Sequence, residues 1–594
     1  MNAIFNNPLV YLARKMWRYA EGKRRRIVLY VFLFVVANVV WALEPLVIGK
    51  ILNVVQAQGV HWENLAYLLG FLAIFLLQEL FFWCFHGPAR VIENNTAFAI
   101  RANYKNFLLQ GVLDLPIEWH VDHHSGDTID KIEKGTGALF DFARNSFEII
   151  QAIVLLATAY VALAFYDARI TALVFGITLF TFYVLIRFDR VLVPGYKIVN
   201  WGENKISSKI FDFVSNVTTV IILRIKSSVL GAIAAQIQEP LSQYRKNSVY
   251  NEWKWFSAAF IGRLAVVAAI AIYIIVQLEA EYVILTGTIY IIYGYVNQVR
   301  ETFFRFAYLY GDVVHRRTAV MNAEEISKEF TPSSDSRGAV LPPGWSTFAI
   351  DGLSFSYHAA EGADLHLEDV SMKIRKGERV ALIGESGGGK STFLKLVRDL
   401  YHPKPFRLLV DGKEIPGGFA AISDSVTLVP QDPEIFATTI RENITLGADY
   451  TDEHIKVFTD LARFSEVVGR LPKGLESSIV EKGVNLSGGE KQRLALARGL
   501  LASADKEIVL LDEPTSSVDF SNELAIYENI FTAFARKTII SSVHRLHLLS
   551  LFDSVYFFRE GKVIAAGSFE ELKASSVEFQ DLWANYIKTR DAGA

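Results

Sequence analysis

Between Ile27 and Val299 the chain carries six apolar runs, near Ile27–Ile48, Leu65–Phe85, Phe147–Phe165, Ile170–Ile186, Phe256–Leu278 and Val283–Val299. A bilayer's hydrocarbon core of ~30 Å is crossed by roughly 20 apolar residues in helix. One such run suits a core helix of a large soluble protein, but six in succession call for a membrane. From Phe348 onward the pattern is that of soluble α/β sequence, and Ser327–Ser346, rich in Ser, Pro and Gly, reads as a linker. At 594 residues more than one domain is expected. A formal net charge of −3 gives no support for nucleic acid as a partner. The single cysteine, Cys84, excludes intrachain disulfides and any all-cysteine zinc site, and its setting, FFWCFH, reads as buried and inert.

Basic residues set the orientation. Lys23, Arg24, Arg25 and Arg26 precede the first run and place the N-terminus in the cytoplasm, while the connections after runs one, three and five carry almost no Lys or Arg. The connections after runs two and four are long, carry several Lys and Arg each and are helical in pattern, as expected of cytoplasmic extensions. Upstream, PLVYLARKMWRYA sets Leu9, Leu12, Ala13, Met16, Trp17 and Ala20 on one helical face and Arg14, Lys15 and Arg18 opposite, which suits a helix in the cytoplasmic interface. A cleaved transit peptide is the rival reading, ranked second because the segment is poor in Ser and joins the first run almost directly.

The soluble half carries ALIGESGGGKSTFLKLV. Val380–Ile383 reads as a buried strand, and Gly384-x-x-x-x-Gly389-Lys390-Ser391 fits a phosphate-binding loop between strand and helix. Across Gly384, Glu385, Ser386, Gly387, Gly388 and Gly389 the glycines let backbone N–H groups close on phosphate oxygens, and the helix N-terminus adds positive potential. In this pattern Lys390 reaches the β/γ-phosphates of ATP, Ser391 ligates Mg²⁺, and Thr392 is placed to bond a phosphate oxygen. In IVLLDEP, Asp512 ends an apolar strand where it can hold the Mg²⁺ shell, and Glu513 is placed to polarise the attacking water. LSGGE (Leu486–Glu490) precedes a helical run, and SVHRL puts His544 after the apolar strand TIISS.

On these motifs the chain resembles an ATP-binding-cassette transporter of the exporter type, one membrane domain fused to one nucleotide-binding domain. The resemblance implies an all-α six-helix membrane domain with long cytoplasmic helices. An α/β P-loop ATPase with an antiparallel β subdomain and a helical subdomain should follow. The expected boundaries are an interfacial elbow at residues 1–25, the membrane domain at 26–326, the linker at 327–346 and the ATPase at 347–594. It also implies that Tyr357 stacks on adenine, that Gln431 touches Mg²⁺ and water, and that His544 meets the γ-phosphate. Ser487, Gly488, Gly489 and Glu490 would form the signature that completes the partner's ATP site, and Asp519 the loop crossing to it. Val480–Gly483 resembles a short loop contacting the cytoplasmic helices. Pro116–Ile132 resembles the first coupling segment, with a second near Ile206–Val217. Glu490 stands where many members have Gln, and Val518 where Leu is usual; neither change removes a catalytic group.

One cassette per chain then implies a dimer, most simply of identical chains and otherwise a heterodimer, with two shared ATP sites in a plasma (bacterial inner) membrane and both termini cytoplasmic. The leading function is ATP-driven export of a lipidic or amphipathic compound; an ATP-gated channel or regulatory subunit, and uptake through an exporter-like fold, are the alternatives. On the sixth run Gly294, Asn297, Gln298, Glu301, Arg305 and Tyr308 share a face that either lines a pathway or includes a Glu301–Arg305 pair beneath the membrane. Glu44, Glu79 and Arg263 are further polar positions in or near the runs. His120, Asp122, His123 and His124 match no usual zinc spacing.

Overall fold

In the computed structural model, residues 7–123, 125–330, 340–357, 366–432, 434–479 and 486–592 are described. Residues 331–339 of the expected linker, the Val480–Gly483 loop and His124 lie outside them. The chain divides into two units, Met1–Leu113 with Ser125–Phe330, and Asp114–His124 with Thr331–Ala594.

The first unit is helical. In chain order come α1 (Pro8–Tyr19), α2 (Arg24–Trp41), α3 (Glu44–Gln58) and α4 (Trp62–Leu113). The second unit takes α5 (Ile117–Asp122), and the first resumes with α6 (Ser125–Arg144), α7 (Ser146–Tyr166) and α8 (Ala168–Ser215). It ends with α9 (Val217–Ile222), α10 (Lys226–Gln238), α11 (Leu241–Glu279) and α12 (Thr286–Ser327). Among the described residues five helical stretches are long and apolar enough to cross a membrane: Arg24–Gln58, Trp62–Leu113, Ser125–Tyr166, Ala168–Ser215 and Lys226–Glu279. The sixth expected run falls on α12, where Tyr, Asn297, Gln298, Arg300 and Glu301 dilute the apolar character.

Helix breaks explain several of the polar residues. The first run is split between α2 and α3 because Pro45 in the first turn of α3 has no N–H to continue the ladder. The carbonyls at the break find donors on neighbouring helices: Gln78 Nε2 donates to Val40 O (2.8 Å) and Trp41 O (3.1 Å), and the Tyr295 hydroxyl to Ala42 O (3.0 Å). In a lipid environment, where water cannot supply these bonds, that satisfaction is required. At the α6–α7 break, buried Glu93 accepts from Ser146 Oγ (2.7 Å) and from the Phe147 N–H (2.8 Å), and pairs with Arg90.

The structure alters three expectations. Arg305 donates to Gln151 Oε1 (2.7 Å), while Glu301 meets Asn297 and Arg300, so the Glu301–Arg305 pair does not form. Cys84 is exposed, because α4 turns apolar residues outward where a bilayer takes the place of a core. α1 buries Pro8, Leu12, Met16 and Tyr19 and leaves Trp17 exposed, a face turned from the expected stripe. Its Tyr11 hydroxyl and Lys15 both meet Glu324 near the end of α12, which draws that face inward. α8 ends at Ser215 and the short helix α9 begins at Val217, the last residue of the stretch expected to hold the second coupling segment.

α3 and α12 approach closely through glycine. A Cβ on Gly287 would run into Gly49 O and the Asn53 side chain. Gly287→Val is therefore expected to force these helices apart at about 1–3 kcal/mol, seen as a lower melting temperature of the purified protein in lipid.

In the second unit β1 (Thr347–Phe355), β2 (Leu367–Arg375), β4 (Arg407–Val410) and β5 (Lys413–Glu414) form an antiparallel sheet in the order β2-β1-β4-β5. β3 (Arg379–Gly384), β6 (Val426–Val429), β7 (Ile508–Asp512), β8 (Thr538–Ser542), β9 (Ser554–Arg559) and β10 (Lys562–Gly567) form the second, in the order β10-β9-β3-β8-β7-β6. β9, β3, β8, β7 and β6 run parallel, and β7 and β8 are buried throughout. Continuous apolar strands such as IVLLD belong in such a doubly covered sheet. Around it lie α13 (Lys390–Val397), α14 (Ile440–Thr445), α15 (Asp452–Leu461), α16 (Ser465–Arg470), α17 (Gly488–Ala502), α18 (Phe520–Ala533), α19 (Phe569–Ser575) and α20 (Val577–Ala592).

Candidate functional site

Parallel strands deliver their C-terminal ends to one edge, where open α/β sheets bind ligands. Register aligns Leu382 of β3 with Ser542 of β8, and Ser542 with Asp512 of β7. The glycine loop therefore leaves β3 beside the strand ends that carry Asp512–Glu513 and, two residues past β8, His544. Gln431 follows the end of β6, next to β7.

The loop needs its glycines at two points in particular. Gly384 has φ 137°, and a Cβ there would meet the Phe558 carbonyl. Gly389 has φ 105° at the N-terminus of α13, and its Cβ would lie 2.6 Å from Leu367 Cδ2. Lys390 is only 5% exposed, and its ammonium donates to Gly384 O (2.8 Å) and Glu385 O (3.0 Å). Burial lowers its pKa, opposed by Glu513 and then Asp512.

Asp512 Oδ1 accepts from Ser391 Oγ (2.9 Å) and Ser542 Oγ (2.7 Å). A hydroxyl and a carboxylate at this spacing are the hard oxygen donors that suit Mg²⁺ alongside phosphate oxygens. Glu513 has φ 46°, the left-handed region that non-glycine residues seldom occupy, and its N–H donates to Ser542 Oγ (2.9 Å). Its carboxylate lies between two groups: Gln431 Nε2 donates to Oε2 (2.7 Å), and His544 Nε2 is 2.7 Å from Oε1. Tyr357 packs edge-on against Phe355, His366 and Tyr401, and its hydroxyl donates to Thr392 Oγ1 (3.3 Å). Lys390, Ser391, Thr392, Tyr357, Gln431, Asp512, Glu513 and His544 are thus linked around one strand edge.

The signature forms a separate helix start. Ser487 caps α17 and makes a capping box with Glu490, whose carboxylate accepts from the Ser487 N–H (2.8 Å) and hydroxyl (2.9 Å). Those bonds, the Ser487 N–H first, hold the Glu490 carboxyl below its usual range, with Arg470 adding to the effect. A carboxylate does this as well as an amide, which accounts physically for Glu in place of Gln. Asp519 caps α18 through Asn522 and Ser521.

Four residues of this network escaped the sequence reading. Ser542 bridges Asp512 to the Glu513 backbone. Gln492, 3% exposed, donates to Glu513 O (3.2 Å) and Ser516 Oγ (2.8 Å) and accepts from the Ser517 N–H (2.8 Å). Glu523 and Arg545 form an ion pair at 2.9 Å. The available signals were a hydroxyl ending an apolar strand, a lone amide on an apolar helix face, and an arginine beside His544.

A buried P-loop lysine, strand-end carboxylates and a capped signature helix on a parallel sheet define a P-loop ATPase, fused here to a unit of long apolar helices. Residues 27–301 match the ABC transporter transmembrane region family, and residues 367–516 match the ABC transporter family. The chain belongs to the ABC transporters, carrying both regions in one polypeptide.

It is 27% identical to the glutathione/L-cysteine transport system ATP-binding/permease protein CydD of Bacillus subtilis (strain 168), across 82% of this chain and 83% of that one. It is also 27% identical to ATP-binding cassette sub-family B member 6 of Mesocricetus auratus, across 79% of this chain but 56% of that protein. The fold superposes on a bacterial Atm1-family ABC exporter with ATP bound at a TM-score of 0.79, with 22% identity, covering 95% of this chain and 98% of that one. The protein is thus an exporter-type ABC transporter with a fused ATPase that couples ATP hydrolysis to transport.

Proposed function

We propose that two identical chains enclose two ATP molecules and use their hydrolysis to export a small lipidic or amphipathic compound across the plasma membrane. The observation that carries this reading is the Glu513 carboxylate, held between His544 and Gln431 beside a buried Lys390. That is the placement a base needs to orient water against a γ-phosphate. Lys390 binds the β/γ-phosphates, with the N–H groups of Gly384–Gly389 and Thr392 around them, and Tyr357 stacks on adenine. Mg²⁺, which Ser391, Asp512 and Gln431 would hold, supplies charge neutralisation on the phosphates. Ser487, Gly488, Gly489 and Glu490 present a helix N-terminus to the nucleotide of the partner chain.

In the membrane the reading has six spans, the sixth on α12, with both termini on the ATP side. Closing on ATP is a two-state change driven by γ-phosphate contacts, and hydrolysis resets it. A second cargo class, small thiols, is favoured by the similarity to the B. subtilis glutathione/L-cysteine transporter along most of both chains.

Inside-out vesicles carrying the protein test direction and cargo together. ATP is expected to drive accumulation of labelled amphipathic lipid or of labelled glutathione, measured against Glu513→Gln vesicles. ATP-driven depletion of preloaded cargo would replace export by uptake, and flow only down the gradient would replace it by a channel.

A further inference from the structure

Glu523 lies in the first turn of α18 and is only 3% exposed, a costly place for a carboxylate that is itself part of no nucleotide motif. Its two oxygens serve two different loops. Oε1 accepts from Thr515 Oγ1 (2.7 Å), two residues beyond Glu513. Oε2 accepts from Arg545 Nη1 (2.9 Å), the residue after His544. The same Arg545 nitrogen donates to Val518 O (3.0 Å), just before Asp519. His547 Nε2 lies 3.7 Å from Oε2, and its Nδ1 is 2.9 Å from the Tyr586 hydroxyl.

A cavity of about 190 Å³ lies among these loops, lined by the polar groups of Glu513, Thr515, Glu523, Ser542, His544 and Arg545 as well as by apolar side chains. Such a space is polar and roomy enough for water, so across it the loops are tied by directional bonds. Gln492 supplies such bonds from α17 to Glu513, Ser516 and Ser517. Glu523 and Arg545 are the matching ties across the cavity.

We infer that Glu523 and Arg545 are positioning residues that set the loops bearing Glu513, Asp519 and His544 in the geometry required for ATP cleavage. The inference rests on the ATPase reading above. Bond-making groups tolerate little error, since a misplacement of about 1 Å can cost on the order of 100-fold in rate. Neither residue is among the groups assigned above to the phosphates, so the effect belongs in kcat and not in nucleotide affinity.

The test uses full-length protein in lipid nanodiscs, comparing Glu523→Gln, Arg545→Met and the double variant with wild type. ATPase kcat and KM, fluorescent-ATP affinity and melting temperature are measured for each. Each single change is expected to lower kcat about 10- to 100-fold, with KM and affinity within about two-fold of wild type.

The double variant separates positioning from simple burial of a charge pair. Removing both charges leaves no uncompensated ion, so the melting temperature recovers toward wild type; kcat is expected to stay low, because the ties to Thr515 and Val518 are weakened or gone. Single variants with kcat within about two-fold of wild type, or a double variant that regains kcat together with its melting temperature, would overturn the inference and leave the ATPase reading intact. A wild-type protein without ATPase would remove both.

Discussion

Glu513→Gln is expected to bind ATP normally and to lose at least about 100-fold in turnover, since a positioned general base contributes 10²–10⁴-fold. The exchange keeps the size of the side chain and a carbonyl able to accept from Gln431 Nε2, now 2.7 Å from Oε2. It removes the charge and the basicity that orient water. Glu513 also holds a left-handed backbone, φ 46°, which glutamine adopts no less readily than glutamate, so the fold should survive. With hydrolysis blocked, ATP should hold two chains together. Steady-state ATPase, ATP affinity and cross-linking across the pair measure the three effects. Turnover within about three-fold of wild type would end the assignment of Glu513 as base.

Lys390→Ala is the second large effect, acting on binding itself. Its ammonium is buried against Gly384 O (2.8 Å) and Glu385 O (3.0 Å), so alanine leaves two carbonyls in a phosphate loop without their cation. A charge-assisted hydrogen bond is worth about 1.5–3 kcal/mol, and 1.4 kcal/mol is tenfold in affinity. ATP affinity is therefore expected to fall by about 10- to 100-fold, with ATPase lost alongside it. Lys390→Arg should not rescue, because a planar guanidinium does not fit a point-charge position enclosed by backbone. Fluorescent-nucleotide titration measures the affinity, and unchanged binding in Lys390→Ala would remove the lysine from the phosphate site.

Much of this was legible in the sequence for one reason: the motifs are local. A strand, a glycine loop and a helix start are contiguous in ALIGESGGGKST, and IVLLDE carries its own burial pattern, so β3, β7 and β8 fall where the apolar runs put them. What escaped depends on neighbours distant in the chain. Ser542 matters because strand register places it beside Asp512, 30 residues away. Gln492 matters because α17 turns it toward the loop after Glu513, and Glu523 because α18 carries it under Arg545. In the membrane half, run length marked the helices but not the split at Pro45, whose loose carbonyls are met by Gln78 and Tyr295.

The sequence by itself determined the class of the protein. Apolar length dictates spans, and phosphate chemistry needs glycine, lysine and carboxylate at spacings that a strand–loop–helix supplies. Only the tertiary structure decided which polar groups meet: Glu513 with His544 and Gln431, Glu93 with the start of α7, Arg305 with Gln151 and not Glu301. The reason is range. Helix and strand periods act over a few residues and are written along the chain, whereas a buried polar group must find its partner in three dimensions, and that partner is fixed by packing and strand register.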